Sequence, residues 1–168
     1  ARPNNARNLF YLGIEVLDKA IQSGALDLEN WDICLVGNGI PEIEFTSGYH
    51  PLKYEGLNWA EYAALIGTVD LGFSLMYTPH PSYPPLDLLA SGAVVVTNKF
   101  LNKKDLKKYS SNVICADLDL NSLVDAISTG IELSKNVNTS GLVDDPSLLI
   151  QDWNMYFESI IEYVSENL

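Results

Sequence analysis

Apolar residues recur along this chain in two rhythms, stripes at helical spacing and short unbroken runs, and the two alternate. From Asn8 to Gln22, Leu9, Leu12, Gly13, Val16 and Ala20 form one face, with Phe10, Leu17 and Ile21 beside it, which predicts a helix stopped by Gly24. Ile33 to Val36 is an apolar run and predicts a buried strand, while Glu42 to Phe45 alternates and predicts a short edge strand. Asn58-Trp59-Ala60-Glu61 has the form of a capping box, so a helix is expected from there to about Gly67. Leu71 to Met76 reads as a strand. Pro79, Pro81, Pro84 and Pro85 then exclude regular structure up to about Pro85, because each fixes φ and removes a donor. A helix is expected to begin at Pro84-Pro85, run to Ala90 and stop at Gly92. Ala93 to Val96 is wholly apolar and predicts a strand buried on both faces.

The rest of the chain continues the pattern. Lys103 to Lys108 predicts a short basic helix, Val113 to Ala116 a strand, and Asn121 to Ser134 a helix. Residues 1–135 thus read as one α/β domain, 136–146 as a polar linker and 147–168 as a last helix. That helix gathers Trp153, Tyr156, Phe157, Ile160, Ile161 and Val164 on one face, a stripe expected to pack on this domain or toward a further, N-terminal domain. Alternation of β and α elements predicts a doubly wound, Rossmann-like parallel sheet.

Composition narrows the classes of function. The chain has 168 residues, of which 47% are hydrophobic, enough for one domain with a core. Formal net charge is -12, which disfavours a nucleic-acid binder, since that needs a basic face. No apolar run is long enough for a transmembrane segment, and none reads as a signal peptide. Cys34 and Cys115 fall in expected strands and read as free core thiols of a reducing compartment. His50 has no second ligand at metal-binding spacing, so no metal is expected. Asp117 and Asp119 could be a metal-binding acid pair, but Asp119 stands where a helix cap is needed. Gly37-Asn38-Gly39 follows a strand, yet the third glycine of a dinucleotide fingerprint is lacking and Pro41 intervenes.

The candidate chemistry lies where strands end. The loop from Tyr77 to Pro85 places backbone donors and a helix N-terminus at the carboxyl end of a strand, where open α/β sheets bind ligands and where anions are favoured. Ser82 and Tyr83 are candidate phosphate or sugar contacts or members of an ordinary ordered loop. His80 either donates to a ligand or is satisfied locally. Asp87 is either a ligand-binding carboxylate or an acid placed favourably in a first helical turn. Arg2 and Arg7 are either anion ligands or solvated charge near a terminus. Arginine suits the first role because it is always charged and offers a planar fork of donors.

The segment HPSYPPLDLLASGAVVVTN resembles the donor-binding signature of GT-B glycosyltransferases, and most of all that of bacterial rhamnosyltransferases of surface polysaccharide assembly. ARPNNARN resembles the basic loop after the first strand of the donor domain, DICLVGNGIPE a strand entering a Gly-x-Gly turn, and GLNWAEYAALIGTVDLGFSLM the helix and strand before the proline loop. The similarity runs from Arg2 to about Ile127. It implies the C-terminal, nucleotide-sugar-binding domain of a two-domain GT-B enzyme, needing no cofactor. Arg2 and Arg7 would meet the diphosphate, as would the backbone at Ser82, Tyr83 and Pro84. Asp87 would hold the ribose, Gly37 would let the backbone approach the donor, and Gly56 and Leu57 would contact the base. His80 is the one candidate here for a catalytic contact, the other catalytic groups belonging to an acceptor domain. Two departures stand out: Asp87 replaces a glutamate, and Pro79 occupies the place of the family's first acid.

The implied partners are a nucleoside diphosphate sugar, with deoxythymidine-diphosphate rhamnose favoured by the resemblance, a saccharide acceptor and the N-terminal acceptor domain. The implied location is the cytoplasm, with peripheral association at the inner face of the membrane left open. On this alignment the chain is a fragment beginning just after the domain's first, central strand, and a strand ahead of Ala1 or from another chain is expected to fill that place. An alternative of another class is a non-catalytic module that binds a nucleotide or a protein, favoured by Pro79.

Overall fold

The computed structural model describes residues 1–136 and 153–167. Among the described residues there are five strands, all paired in parallel and interspersed with helices, with no helix between the first and second strands or between the fourth and fifth. The strands are β1 (Cys34–Gly37), β2 (Leu52–Glu55), β3 (Leu71–Phe73), β4 (Val94–Asn98) and β5 (Val113–Ala116). The helices are α1 (Phe10–Gln22), α2 (Trp59–Ile66), α3 (Tyr83–Ala90), α4 (Leu120–Ser134) and α5 (Trp153–Asn167). A 3-10 turn at Ala6–Asn8 precedes α1. The α/β class with parallel strands is as the alternation predicts, but the ladder is not continuous. β1 and β2 form one sheet, and β3, β4 and β5 form another in that order.

Helices cover both faces of the second sheet. Val95 and Val96 are adjacent, point to opposite faces and are both fully buried. Val96 belongs to the larger core with Val16 and Ala20 of α1, Leu35 of β1 and Leu123 and Ile127 of α4. Val95 joins Leu89 of α3, Leu106 and Val113 in a smaller core on the other side. Fully burying one such valine is worth about 1.5–3 kcal/mol, so β4 anchors both layers. Close approach at two glycines sets the helix positions. A Cβ on Gly72 of β3 would lie 2.5 Å from Leu88 of α3, and one on Gly130 of α4 would lie 2.8 Å from Leu71.

β1 and β3 are not paired with each other, although Leu35 of β1 and Leu75 just after β3 share the larger core. Ala1 lies on the outer edge of β1. Its amino group donates to the Val36 carbonyl, and its own carbonyl accepts from Asn38 N–H at 3.2 Å. Those two bonds are the pattern of a parallel bridge opposite Gly37.

Several local expectations need correction. Glu42–Phe45 is not a strand. Buried Phe45 instead anchors a turn, with its N–H donating to the Tyr49 carbonyl at 3.0 Å and Thr46 held by Asp18. The second strand is Leu52–Glu55, whose weak Leu-Lys-Tyr-Glu alternation gave no clear signal. Lys103–Lys108 is not a helix, because Lys103 pairs antiparallel with Phe100 and is itself buried. Cys34 is exposed rather than a core thiol, since β1 turns only Leu35 fully inward; Cys115 is half-buried, and both are free. Asp119 caps α4 as expected, accepting from Ser122 N–H at 2.9 Å, and Asp117 pairs with Lys99 at 3.1 Å. The linker and the start of the last helix, at 137–152, lie outside the described residues. Of the stripe expected on α5, the described residues Phe157, Ile160, Ile161 and Val164 are exposed. Among the described residues no helix is long and apolar enough to cross a membrane.

Candidate functional site

Four backbone segments meet at the carboxyl ends of β1, β2 and β3. The first is Ala1–Asn8. Asn5 N–H donates to the Arg2 carbonyl at 3.0 Å, and the Asn5 side chain caps the 3-10 turn by accepting from Arg7 N–H at 3.1 Å. Arg2 and Arg7 therefore share one tight loop. Both are exposed, and neither takes part in an ion pair among the described residues. The second segment is the turn Gly37-Asn38-Gly39, joined to the first by the Ala1 bridge. Gly39 has φ +67, the left-handed region that glycine adopts without strain.

The Asn38 side chain links the second segment to the third. It accepts from Gly56 N–H at 3.1 Å, tying the end of β1 to the end of β2. Gly56 is exposed, Leu57 is half-buried, and α2 starts two residues on. Asn58 accepts from Ala60 and Glu61 N–H while Glu61 accepts from Asn58 N–H, so the capping box is complete.

The fourth segment is the proline loop. Tyr77 N–H donates to the Arg7 carbonyl at 2.7 Å, which fastens the start of this loop to the arginine loop. Just before it, the buried Asn98 side chain grips Met76, accepting from its N–H at 2.8 Å and donating to its carbonyl at 3.2 Å. Lys103, 4% exposed, adds its ammonium to the same carbonyl at 3.4 Å, and burial pulls its pKa below the usual lysine range. Asn98 and Lys103 carry no obvious motif; only their burial beside β3 reveals them.

Within the loop, His80 Nδ1 accepts from Ser82 N–H at 2.9 Å, which places the ring proton of the neutral imidazole on Nε2. His80 is exposed and lies edge-on to Tyr83, ring centroids 6.5 Å apart. Ser82 is the N-cap of α3 with φ 72, a conformation uncommon for serine, and its hydroxyl caps nothing. Helix α3 starts at Tyr83, one residue earlier than expected. Pro84 and Pro85 therefore fill its second and third positions, where they remove two of the amides that a helix start normally presents.

Asp87 lies in the second turn of α3, not the first, so the dipole account of its position falls away. It is half-buried and accepts from the Tyr62 hydroxyl of α2 at 3.2 Å. Burial raises its pKa, and the Tyr62 hydrogen bond opposes that rise. Tyr62 itself is pushed up to about 12, by burial first and by the Asp87 charge second. Among the described residues no group of three or more His, Cys, Asp or Glu is arranged to hold a metal ion.

The structure thus joins the Arg2–Arg7 loop, Gly37, Gly56 and the loop of His80, Ser82 and Tyr83 through backbone and amide bonds, and sets Asp87 on the helix that follows. Chemically, these segments offer two guanidinium groups without an ion pair among the described residues, the Ser82 hydroxyl and an imidazole N–H, with one carboxylate on the helix that follows. That combination suits an anion with hydroxyls attached.

The sequence model of a family described as "WsaF, C-terminal domain" matches residues 1–128. The chain is also similar to the O-antigen biosynthesis protein RfbC of Myxococcus xanthus, with 32% identity over 140 residues, 77% of this chain and 10% of that protein. The chain therefore spans about a tenth of the length of that relative.

Proposed function

The chain belongs to the family of WsaF C-terminal domains, and on that premise we propose that it is the nucleotide-sugar-binding domain of a GT-B glycosyltransferase in polysaccharide synthesis. The observation that carries the reading is the meeting of Arg2, Arg7, the Gly37 turn, Gly56 and the Tyr77–Tyr83 loop at the carboxyl ends of parallel strands. The similarity to an O-antigen biosynthesis protein supports the polysaccharide context. The GT-B resemblance supports a diphosphate donor, with deoxythymidine-diphosphate rhamnose as the favoured sugar nucleotide.

In the transfer, the bond from the sugar's anomeric carbon to the diphosphate oxygen breaks, and its electron pair stays on that oxygen. A new bond forms to a hydroxyl of a saccharide acceptor, whose proton passes to a base in an acceptor domain. The present domain's part is electrostatic: Arg2 and Arg7 meet charge growing on the leaving diphosphate. Asp87 accepts from the hydroxyls of the ribose or deoxyribose, and the turns at Gly37 and Gly56 leave room for the nucleoside beside Leu57.

Calorimetric titration of the chain in EDTA tests this with three ligands: uridine diphosphate (UDP), deoxythymidine diphosphate and inorganic pyrophosphate. All three should bind. Asp87→Asn should weaken UDP about tenfold or more and leave pyrophosphate alone, because hydrogen bonds to a charged acceptor are worth roughly 1.5–3 kcal/mol. Equal losses for UDP and pyrophosphate, or binding that needs a divalent cation, would refute the assignment. Pro79 in place of an acid favours a second reading, a nucleotide-binding module without transferase activity. Nucleotide binding by the parent protein with no sugar transfer to any acceptor would select it.

A further inference from the structure

The Asp87 carboxylate is engaged on one side only. Tyr62 reaches it across the gap between α2 and α3 and takes Oδ2, while Oδ1 has no hydrogen-bond partner among the described residues. Among the described residues no basic side chain acts on Asp87, and β3 and β4, the strands beneath α3, carry no ionisable side chain. Tyr62 is well supported for this contact. The capping box fixes the start of α2, one turn before Tyr62. The far end of the helix is tied to α3 by Ser91, whose hydroxyl donates to the Ile66 carbonyl at 3.1 Å and the Leu88 carbonyl at 2.9 Å.

We propose that Tyr62 is a positioning residue: it pins one oxygen of Asp87 and so presents the other oxygen to the hydroxyls of a nucleoside diphosphate. This rests on the reading of Asp87 given above. A carboxylate has about four acceptor sites, and a single donor leaves ample capacity for the two hydroxyls of a ribose or the one of a deoxyribose. The hydroxyl can only help as a donor, and its raised pKa keeps it protonated across the working range. Its hydrogen bond pulls the Asp87 pKa down against burial. Removing it should move that pKa upward, so Asp87 would lose its charge at a higher pH as acid is added.

Tyr62→Phe removes only the hydroxyl. UDP and pyrophosphate are titrated against the parent, Y62F and D87N over a range of acid pH in EDTA. The expected result is a UDP affinity about three- to tenfold weaker in Y62F, matching one net hydrogen bond. Pyrophosphate affinity should be unchanged, and the acid limb of UDP binding should move to higher pH. A merely structural role would lower the melting temperature without moving that limb or the ratio of UDP to pyrophosphate affinity. If D87N loses UDP selectively while Y62F keeps both the parent affinity and the parent limb, the Tyr62 proposal is overturned and the Asp87 reading stands. If D87N leaves UDP untouched, the Asp87 reading falls and takes this proposal with it.

Discussion

Asn98→Ala should cost the fold about 3 kcal/mol and loosen the proposed anion site with it. The Asn98 side chain is fully buried and makes three hydrogen bonds: from Met76 N–H at 2.8 Å, to the Met76 carbonyl at 3.2 Å and to the Lys99 carbonyl at 2.9 Å. At roughly 1 kcal/mol net for each bond, the loss comes to about 3 kcal/mol. What is left behind decides whether that figure rises or falls. The Met76 carbonyl keeps Lys103 at 3.4 Å, so it is not orphaned. Met76 N–H and the Lys99 carbonyl lose their partners, at about 1–3 kcal/mol each if water stays out. Met76 is only half-buried, so water can reach part of the wound and the lower end applies. For a chain of this size the melting temperature should fall by about 10 °C, since 1 kcal/mol corresponds to roughly 2–4 °C. Urea unfolding followed by circular dichroism gives the stability, with the m-value unchanged. Pyrophosphate affinity should drop too, because Met76 leads into Tyr77, whose N–H holds the arginine loop at 2.7 Å. Asn98→Asp keeps the acceptor for Met76 N–H but sets a buried carboxylate against the Met76 and Lys99 carbonyls, so it should be no milder than N98A. A loss under 1 kcal/mol in N98A would show that Met76 is held by other means.

Two further outcomes follow from other parts of the molecule. Arg2→Ala and Arg7→Ala should each weaken pyrophosphate and UDP alike and flatten the salt dependence of binding, because charge attraction is screened by salt; unchanged pyrophosphate affinity in both would place the anion elsewhere. In hydrogen exchange, Val36, Leu71 and Phe73, whose amides face the open edges of β1 and β3, should exchange faster than Leu35, Gly37 and Gly72, whose amides face β2 or β4; equal protection on both sides of either strand would contradict the interrupted sheet.

Features that depend on near neighbours in sequence were legible. Asn58 and Glu61 are three positions apart and form the capping box they spell. β4 is apolar at every expected position and is buried at every one. Asp119 three residues before Ser122 gives the cap of α4. What escaped was set by distant partners. Lys103 looked like part of a charged helical stretch, but its stem and ammonium are taken up beneath Met76, 27 positions away. Leu52–Glu55 became a strand because β1 lay beside it, not because Lys53 and Tyr54 demanded one. Tyr62 and Asp87, 25 positions apart, meet only because α2 and α3 lie together. Of the candidate site, the loops were legible and the side chains that brace them were not.

The positions of Pro84 and Pro85 bear on how the anion would be held. A proline-rich loop ahead of a helix suggests binding by the helix start, but α3 spans only eight residues and two of its first three amides are absent. Ser82 N–H is already given to His80, which leaves the Tyr83 N–H as the free amide of that end. A helix dipole contributes roughly 0.3–1 kcal/mol at an exposed site, less than one charge-assisted bond. On the proposed reading, the guanidinium groups in the loop fastened to Tyr77 would therefore be the stronger source of anion affinity, and the helix the stronger source of selectivity, because it carries Asp87. On this division a diphosphate would be captured by residues near the start of the chain and identified by a carboxylate 80 positions from Arg7, with the Tyr77–Arg7 hydrogen bond fastening the arginine loop to the loop that leads into the Asp87 helix.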